Sequence, residues 1–298
     1  MNPILEVNGL TKTYGDTAAV KNISFSLEPN KIYGLLGRNG AGKTTIMNMI
    51  TARLFPSEGD IKVFGEAPFE NQAVLSQVCF IKESQKYPDI IHIADLLDIC
   101  SAIFPNWDQK YADSLIKDFT LPLNRKMKKL SRGMLSSAGI VIGLASRAPL
   151  TIFDEPYLGL DAVARNIFYD HLIEDYSQHP RTIILSTHLI DEVSKILEHV
   201  LVIDNGNLII NEDAEDIRGK AFTVVGPALK VTEYIKGKEA LKREAFGGLI
   251  SATVLGHLSP SDKLLADQSG LEIAPVSMQQ LIIHLTSASA NLKEAKAQ

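Results

Sequence analysis

Nine consecutive residues, Gly37-Arg38-Asn39-Gly40-Ala41-Gly42-Lys43-Thr44-Thr45, constrain this chain more than any other stretch. They read as Gly, four residues, then Gly-Lys-Thr. An apolar, strand-like run, Lys31 to Leu36, precedes them, and a helix-like run, Ile46 to Ile50, follows. Strand, glycine loop and helix in that order form the context that a phosphate-binding loop requires. The glycines let the backbone turn tightly, so that successive N–H groups point into one hollow. The start of the helix adds partial positive charge at the same spot. Lys43 supplies a point charge for the outer phosphates, and the Thr44 hydroxyl can hold Mg2+. A chance match in a chain of this length is expected about once in a hundred. That sets aside the bland reading, a glycine-rich turn that binds nothing. A nucleoside triphosphate is the expected ligand.

Composition narrows the partners. The 298 residues are enough for one large domain or two, and an apolar fraction of 45% can fill a packed core. The formal charge of −5 gives no net attraction for nucleic acid. A polyphosphate is anionic too, so it must be held by local groups at short range, within a screening length of about 10 Å. Two cysteines, Cys79 and Cys100, suit neither a disulfide framework nor a four-ligand zinc site. They fit a reducing compartment and packed surroundings. The N-terminus lacks a basic start and a long apolar core, so no signal peptide is expected. No run of 18 apolar residues occurs, so no membrane span is expected.

Along the chain, Ile4 to Val7 and Ile23 to Leu27 read as short strands, with Tyr14 between them. A lone Tyr in such a segment is most often core packing. Residues Pro56 to Asp60 read as a turn and Ile61 to Gly65 as a strand. From Ile91 to Ile103 and from Tyr111 to Phe119 the apolar spacing turns helical. The basic run Arg125 to Lys129 reads as a solvated face. Ser131 is placed to cap a helix over Leu135 to Ser146, a second N-terminus able to meet an anion. Leu150 to Asp154 is an apolar run natural to a parallel sheet covered on both faces. It ends in two carboxylates, Asp154 and Glu155, which packing does not explain. The C-terminal ends of such strands are where ligands bind. Thr182 to Thr187 is a second apolar run, ending at His188. A helix over Leu189 to Glu198 and a hairpin turning at Asp204 to Asn207 follow. Beyond Gly219, strands (Phe222 to Val225, Ile250 to Leu255) and helices (Glu239 to Ala245, Met278 to Leu285) suggest a small α+β appendage. The polar tail from Ala288 to Gln298 is expected to fray.

Taken together, these motifs resemble the ATP-binding subunit of an ABC transporter, of the bacterial exporter type. The likeness covers residues 3 to 217. It rests on the loop Gly37 to Thr45, on Leu130-Ser131-Arg132-Gly133-Met134 in the place of the family signature, on Asp154-Glu155-Pro156, on Gly159-Leu160-Asp161 and on His188. The resemblance implies an α/β P-loop NTPase core with a mixed sheet, an antiparallel β-subdomain and an inserted helical subdomain, here followed by the appendage. Residues 1–218 would form the ATP-binding domain and residues 219–298 the accessory one. Two such subunits, identical or different, would sandwich two ATPs and power a separate transmembrane permease from the cytoplasmic face of the membrane.

The same resemblance implies roles by position. Tyr14 would stack on adenine, and Gly37, Arg38, Asn39, Gly40, Ala41, Gly42, Lys43, Thr44 and Thr45 would wrap the phosphates. Thr44 with Asp154 would hold Mg2+, directly or through water. Glu155 would be the general base, with His188 contacting the γ-phosphate. Ser131 and Gly133 would reach the partner's ATP, and Asp161 would link the two sites. The signature departs from the family's commonest form at Arg132 and Met134, where Gly and Gln are usual. Where the family usually carries a Gln near Mg2+, Glu83 fits best by distance from the preceding strand and Gln85 second. Within this resemblance a soluble ABC ATPase of DNA maintenance or translation is the alternative. Too few residues separate Lys43 from Asp154 for a long coiled-coil insertion, and only one phosphate loop is present. A P-loop kinase or GTPase is disfavoured by the signature and by the lack of an Asn-Lys-x-Asp sequence. Export of a peptide, antibiotic or other amphiphile is the expectation.

Overall fold

The computed structural model describes residues 2–83 and 85–294. The chain divides into two compact units. The first holds residues 1–188 and 198–211, and the second residues 189–197 and 212–298.

The first unit has two sheets. Strands β1 (Leu5–Tyr14), β2 (Thr17–Leu27) and β4 (Glu58–Val63) make an antiparallel sheet in the order β2-β1-β4. The first two are longer than the short strands expected from sequence, because the Gly15-Asp16 turn folds them back on one another from Tyr14 and Thr17 outward. Strand β4 starts at Glu58, inside the segment read as a turn, since Glu58 already pairs with Thr11 of β1. The second sheet has six strands in the order β5-β6-β7-β3-β8-β9. They are β3 (Ile32–Leu36), β5 (Val78–Ile81), β6 (Leu150–Asp154), β7 (Thr182–Thr187), β8 (His199–Asp204) and β9 (Asn207–Asp213). The pairs β5-β6, β6-β7, β7-β3 and β3-β8 are parallel. A two-residue turn, Asn205-Gly206, sends β9 back along β8. Every residue of β3, β6 and β7 is buried. That is why these strands read as unbroken apolar runs rather than as alternations. Burying a Leu, Ile or Phe side chain here stabilises by about 1.5–3 kcal/mol.

Helix α1 (Lys43–Ile50) leaves the phosphate loop, and the short α2 (Gln72–Leu75) precedes β5. Between β5 and β6 comes a helical insertion of α3 (Ile93–Ile103), α4 (Gln109–Asp118) and α5 (Arg132–Ala145). In α3 the buried residues are Ile93, Leu96, Leu97 and Cys100, the three-and-four spacing of one helix face. The Asp108 carboxylate accepts from the Tyr111 N–H at 2.9 Å and starts α4. Helix α6 (Ala162–Gln178) buries Phe168, Leu172 and Asp175 on one face. That periodicity carries a carboxylate into the interior. There Asp175 accepts from Arg181 at 2.6 Å and from Arg147 at 3.1 Å. Arg147 also lies 2.9 Å from Asp108. The pairing ties the end of α6 to the starts of α4 and β7. Cys79 and Cys100 are both buried and unpaired thiols.

The second unit holds α7 (Ile190–Val193), α8 (Ala214–Ile217), α9 (Ala228–Tyr234), α10 (Pro260–Ser269) and α11 (Met278–Glu294). Its four antiparallel strands run in the order β11-β12-β10-β13, namely β10 (Ala221–Pro227), β11 (Ala240–Phe246), β12 (Leu249–Leu255) and β13 (Glu272–Pro275). Phe222, Val224, Val231, Tyr234, Val254 and Leu271 lie in its core. Two expectations fail here. The helix read over Leu189 to Glu198 is one turn long, α7 alone. The helix read over Glu239 to Ala245 is the edge strand β11. Its Ala, Leu, Lys, Arg and Glu favour a helix locally, but pairing with β12 across Gly247-Gly248 decides the conformation. The tail expected to fray from Ala288 continues α11 as far as Glu294, and residues 295–298 lie outside the described residues. Among the described residues no helix is long and apolar enough to cross a membrane.

Replacing Asp175 with Ala would leave the Arg181 guanidinium, 5% exposed, without its carboxylate. We expect a loss of about 3–5 kcal/mol of stability, read as a lower denaturant midpoint at unchanged slope.

Candidate functional site

The site forms where three strands end side by side. In the register of the sheet, Leu36 of β3 lies beside Thr187 of β7, and Asp154 of β6 lies beside Ser186. The phosphate loop thus meets two carboxylates and His188, all more than a hundred positions further along the chain, at one edge. A cleft of about 370 Å3 opens there, lined by Ala19, the loop residues Asn39 to Thr45, Glu83, Asp154 and Glu155.

The loop can take its shape only with glycine at its bends. Gly37 has φ 146° and Gly42 has φ 113°. A Cβ on Gly37 would come within 2.2 Å of the Ile203 carbonyl oxygen, and one on Gly42 within 2.6 Å of that of Ala19. Gly42 is also the N-cap of α1, and no side chain caps the helix. The N–H groups of its first turn therefore have no intrahelical acceptor and face the hollow. The Lys43 ammonium, 6% exposed, donates to the carbonyls of Gly37 at 2.7 Å and Arg38 at 3.3 Å. Burial pulls the Lys43 ammonium below its usual range, and the charges of Glu155, Asp154 and Glu83 work against that shift. The Thr44 hydroxyl donates to Asp154 Oδ2 at 2.9 Å.

Glu155 is a non-glycine residue at φ 49°, a left-handed conformation that costs on the order of 1–3 kcal/mol. Its N–H bonds the Ser186 carbonyl at 3.1 Å. This bend turns the side chain from the end of β6 into the interior, where it is 6% exposed. Its Oε2 accepts from the Tyr157 hydroxyl and lies 2.9 Å from His188 Nδ1. Its Oε1 is buried without a hydrogen-bond partner among the described residues, 4.0 Å from the Lys43 ammonium. An acceptor of this kind, aimed at a cation beside a phosphate-shaped hollow, is placed to take a proton from water.

The other expected site residues lie elsewhere in the same unit. Tyr14 stands at the exposed end of β1, outside the cleft lining, with the Lys12 ammonium 5.5 Å from its ring centre. Ser131 caps α5 by accepting from the Met134 N–H at 3.2 Å, and Asp161 caps α6 by accepting from the Ala164 N–H at 2.8 Å. Gly133 backs onto Gly159, whose carbonyl oxygen would meet a Cβ on Gly133 at 2.7 Å. Spacing put Glu83 first and Gln85 second. Glu83 lines both the cleft at the glycine loop and a neighbouring cleft of about 510 Å3, and Gln85 lines the latter. Arg132 lies 3.4 Å from Glu83. Tyr157 and Thr187 were not singled out from sequence. An aromatic with a polar tip, two positions after paired carboxylates, was the only available signal.

A family model described as "ABC transporter" matches residues 20–158. The bacitracin transport ATP-binding protein BcrA of Enterococcus faecalis is 30% identical, over 75% of this chain and 74% of that protein. The Nod factor export ATP-binding protein I of Rhizobium etli is 30% identical, over 95% of this chain and 93% of that one. Among solved structures, the dimeric ATP-binding cassette MJ0796 in a post-hydrolysis state with ADP and Pi matches with a TM-score of 0.62 at 20% identity. It covers 70% of this chain and 98% of that one, a likeness of fold. Identity of 30% over 74% and 93% of these two relatives leaves one conclusion: the chain belongs to the ABC transporter family, as an ATP-binding and ATP-hydrolysing subunit.

Proposed function

We propose that this chain drives export of an amphiphilic substrate, such as a peptide or antibiotic, by cleaving ATP against a separate membrane permease. The relative named for Nod factor export supports the direction, and the one named for bacitracin transport supports the substrate class. By sequence the ATP-binding domain spans residues 1–218, which takes in residues 189–197 and 212–218 of the second compact unit, and residues 219–298 form an accessory domain. The subunit sits on the cytoplasmic face of the membrane, held there by the permease.

The observation that carries the chemistry is the partnerless Glu155 Oε1 facing Lys43 beside the glycine loop. The amides of Gly37 to Thr45 receive the phosphates, and Lys43 turns from the loop carbonyls to the β- and γ-phosphate oxygens. Two hard oxygens, Thr44 Oγ1 and Asp154 Oδ2, are already 2.9 Å apart, a donor set that suits Mg2+, with Glu83 across the cleft. When bound, Mg2+ neutralises charge on the phosphate oxygens. Glu155 Oε1 orients the attacking water and takes its proton, while His188 holds the opposite oxygen of the same carboxylate. The gain comes from positioning and fixed charge rather than from covalent chemistry. Tyr14 offers an exposed ring for the adenine base. Ser131, Gly133 and Asp161 serve a second subunit, identical or related, whose ATP they meet across a shared interface. Ser131 and Asp161 are exposed, as that role requires.

Glu155→Gln keeps the shape and removes the base. It should bind ATP with affinity unchanged within a few fold and lose about 10²–10⁴ in turnover. Phosphate release measured beside nucleotide binding checks both halves, and full turnover in this variant overturns the role of Glu155. Lys43→Ala removes the buried cation. A charge-assisted hydrogen bond is worth about 1.5–3 kcal/mol, so the Kd for ATP with Mg2+ present should rise roughly ten- to a hundredfold, read by equilibrium titration.

A further inference from the structure

The catalytic carboxylate has two oxygens in different situations, and a residue outside the family motifs creates that difference. Tyr157 follows Glu155 by two positions in the turn after β6 and is 3% exposed. Its hydroxyl touches two groups, Glu155 Oε2 and the Thr187 hydroxyl. A phenol carries one proton. An ionised carboxylate only accepts, so the Tyr157 proton points at Glu155 and the Thr187 hydroxyl donates to the phenol oxygen. The result is a directed line, Thr187 to Tyr157 to Glu155. Burial, with the charge of Glu155 close by, drives the Tyr157 phenol well above its ordinary range, so it remains a donor at any working pH. Thr187 is fixed in turn by β7, where it pairs with Leu36, the last strand residue before the phosphate loop.

We propose that Tyr157 is a positioning residue for ATP hydrolysis: its hydroxyl, braced by Thr187, pins Glu155 Oε2 so that Oε1 alone faces the phosphate cleft. This rests on the reading of Glu155 as the general base. The geometry explains an otherwise costly choice. A buried hydroxyl needs partners, and a Phe of the same shape would fill the space without them. Glu155 also sits on a left-handed backbone beyond the last residue of β6, so the strand itself does not set the direction of its side chain. His188 Nδ1 reaches the same oxygen but is on a side chain 39% exposed. The buried, single-purpose donor on Oε2 is therefore the tyrosine.

The test uses the full-length protein and ATP with Mg2+. Tyr157→Phe should lower kcat about tenfold, the effect of one lost hydrogen bond to a charged group, with KM for ATP held within about twofold. Thr187→Val should lower kcat in the same direction and by less. In the Glu155→Gln background, adding Tyr157→Phe should cause no further loss, because the residue acts through the carboxylate. Wild-type kcat in Tyr157→Phe, while Glu155→Gln is inactive, overturns this proposal and leaves the base intact. An active Glu155→Gln removes the base itself. A Tyr157→Phe protein that loses kcat and ATP affinity together, or does not fold while Thr187→Val keeps full kcat, marks a packing residue and also overturns the proposal.

Discussion

The site depends on one constraint, the parallel register of β6, β7 and β3. Because β7 lies between the other two, Asp154 falls opposite Ser186 and Leu36 opposite Thr187. Backbone hydrogen bonds hold that register along the whole of each strand. Slipping it by one residue would exchange the two faces of a strand and carry Asp154 out of line with Ser186. The alignment of phosphate loop, carboxylates and histidine is thus secured by the same bonds that hold the core. Function at this edge needs no dedicated scaffold of its own, only short excursions beyond the ends of strands already fixed.

Charge is concentrated at those excursions. Lys43, Asp154 and Glu155 are all nearly buried, at 6%, 2% and 6% exposure. Burial alone disfavours each charge, and mutual attraction offsets part of that penalty. Lys43 is partly satisfied by two carbonyls of its own loop, while one oxygen of Glu155 has no hydrogen-bond partner among the described residues. The arrangement is incomplete by itself and leaves the loop hollow open to an anionic phosphate chain. The left-handed backbone at Glu155 adds local strain of the kind concentrated at reaction centres.

Most of the sheet and most of the site could be read from residues alone, for physical reasons. Strands β6 and β7 are covered on both faces, so they are apolar throughout and stand out. The glycine loop is legible because only glycine tolerates its bends. The second unit was harder. Strand β11 is built from helix-favouring residues and is extended only because β12 lies beside it, a fact no local window contains. Helix α10 was passed over although Ser259, Pro260 and Asp262 form a capping box with proline in the first turn. Spacing ranked Glu83 ahead of Gln85, but which of them reaches the loop cleft depends on where the chain after β5 runs. Tyr157 was invisible for a related reason: its role follows from the direction in which the bend at Glu155 sends a side chain.

The contact between Glu83 and Arg132, 3.4 Å apart, bears on how such chains are compared. The family resemblance implies Gly at the position of Arg132 and Gln at the position that Glu83 fits best, so a comparison made column by column records two unrelated changes. In space they are one exchange, an acid against a base, leaving the local sum of charge unaltered. A chimera inheriting only one of them would carry an imbalance found in neither parent.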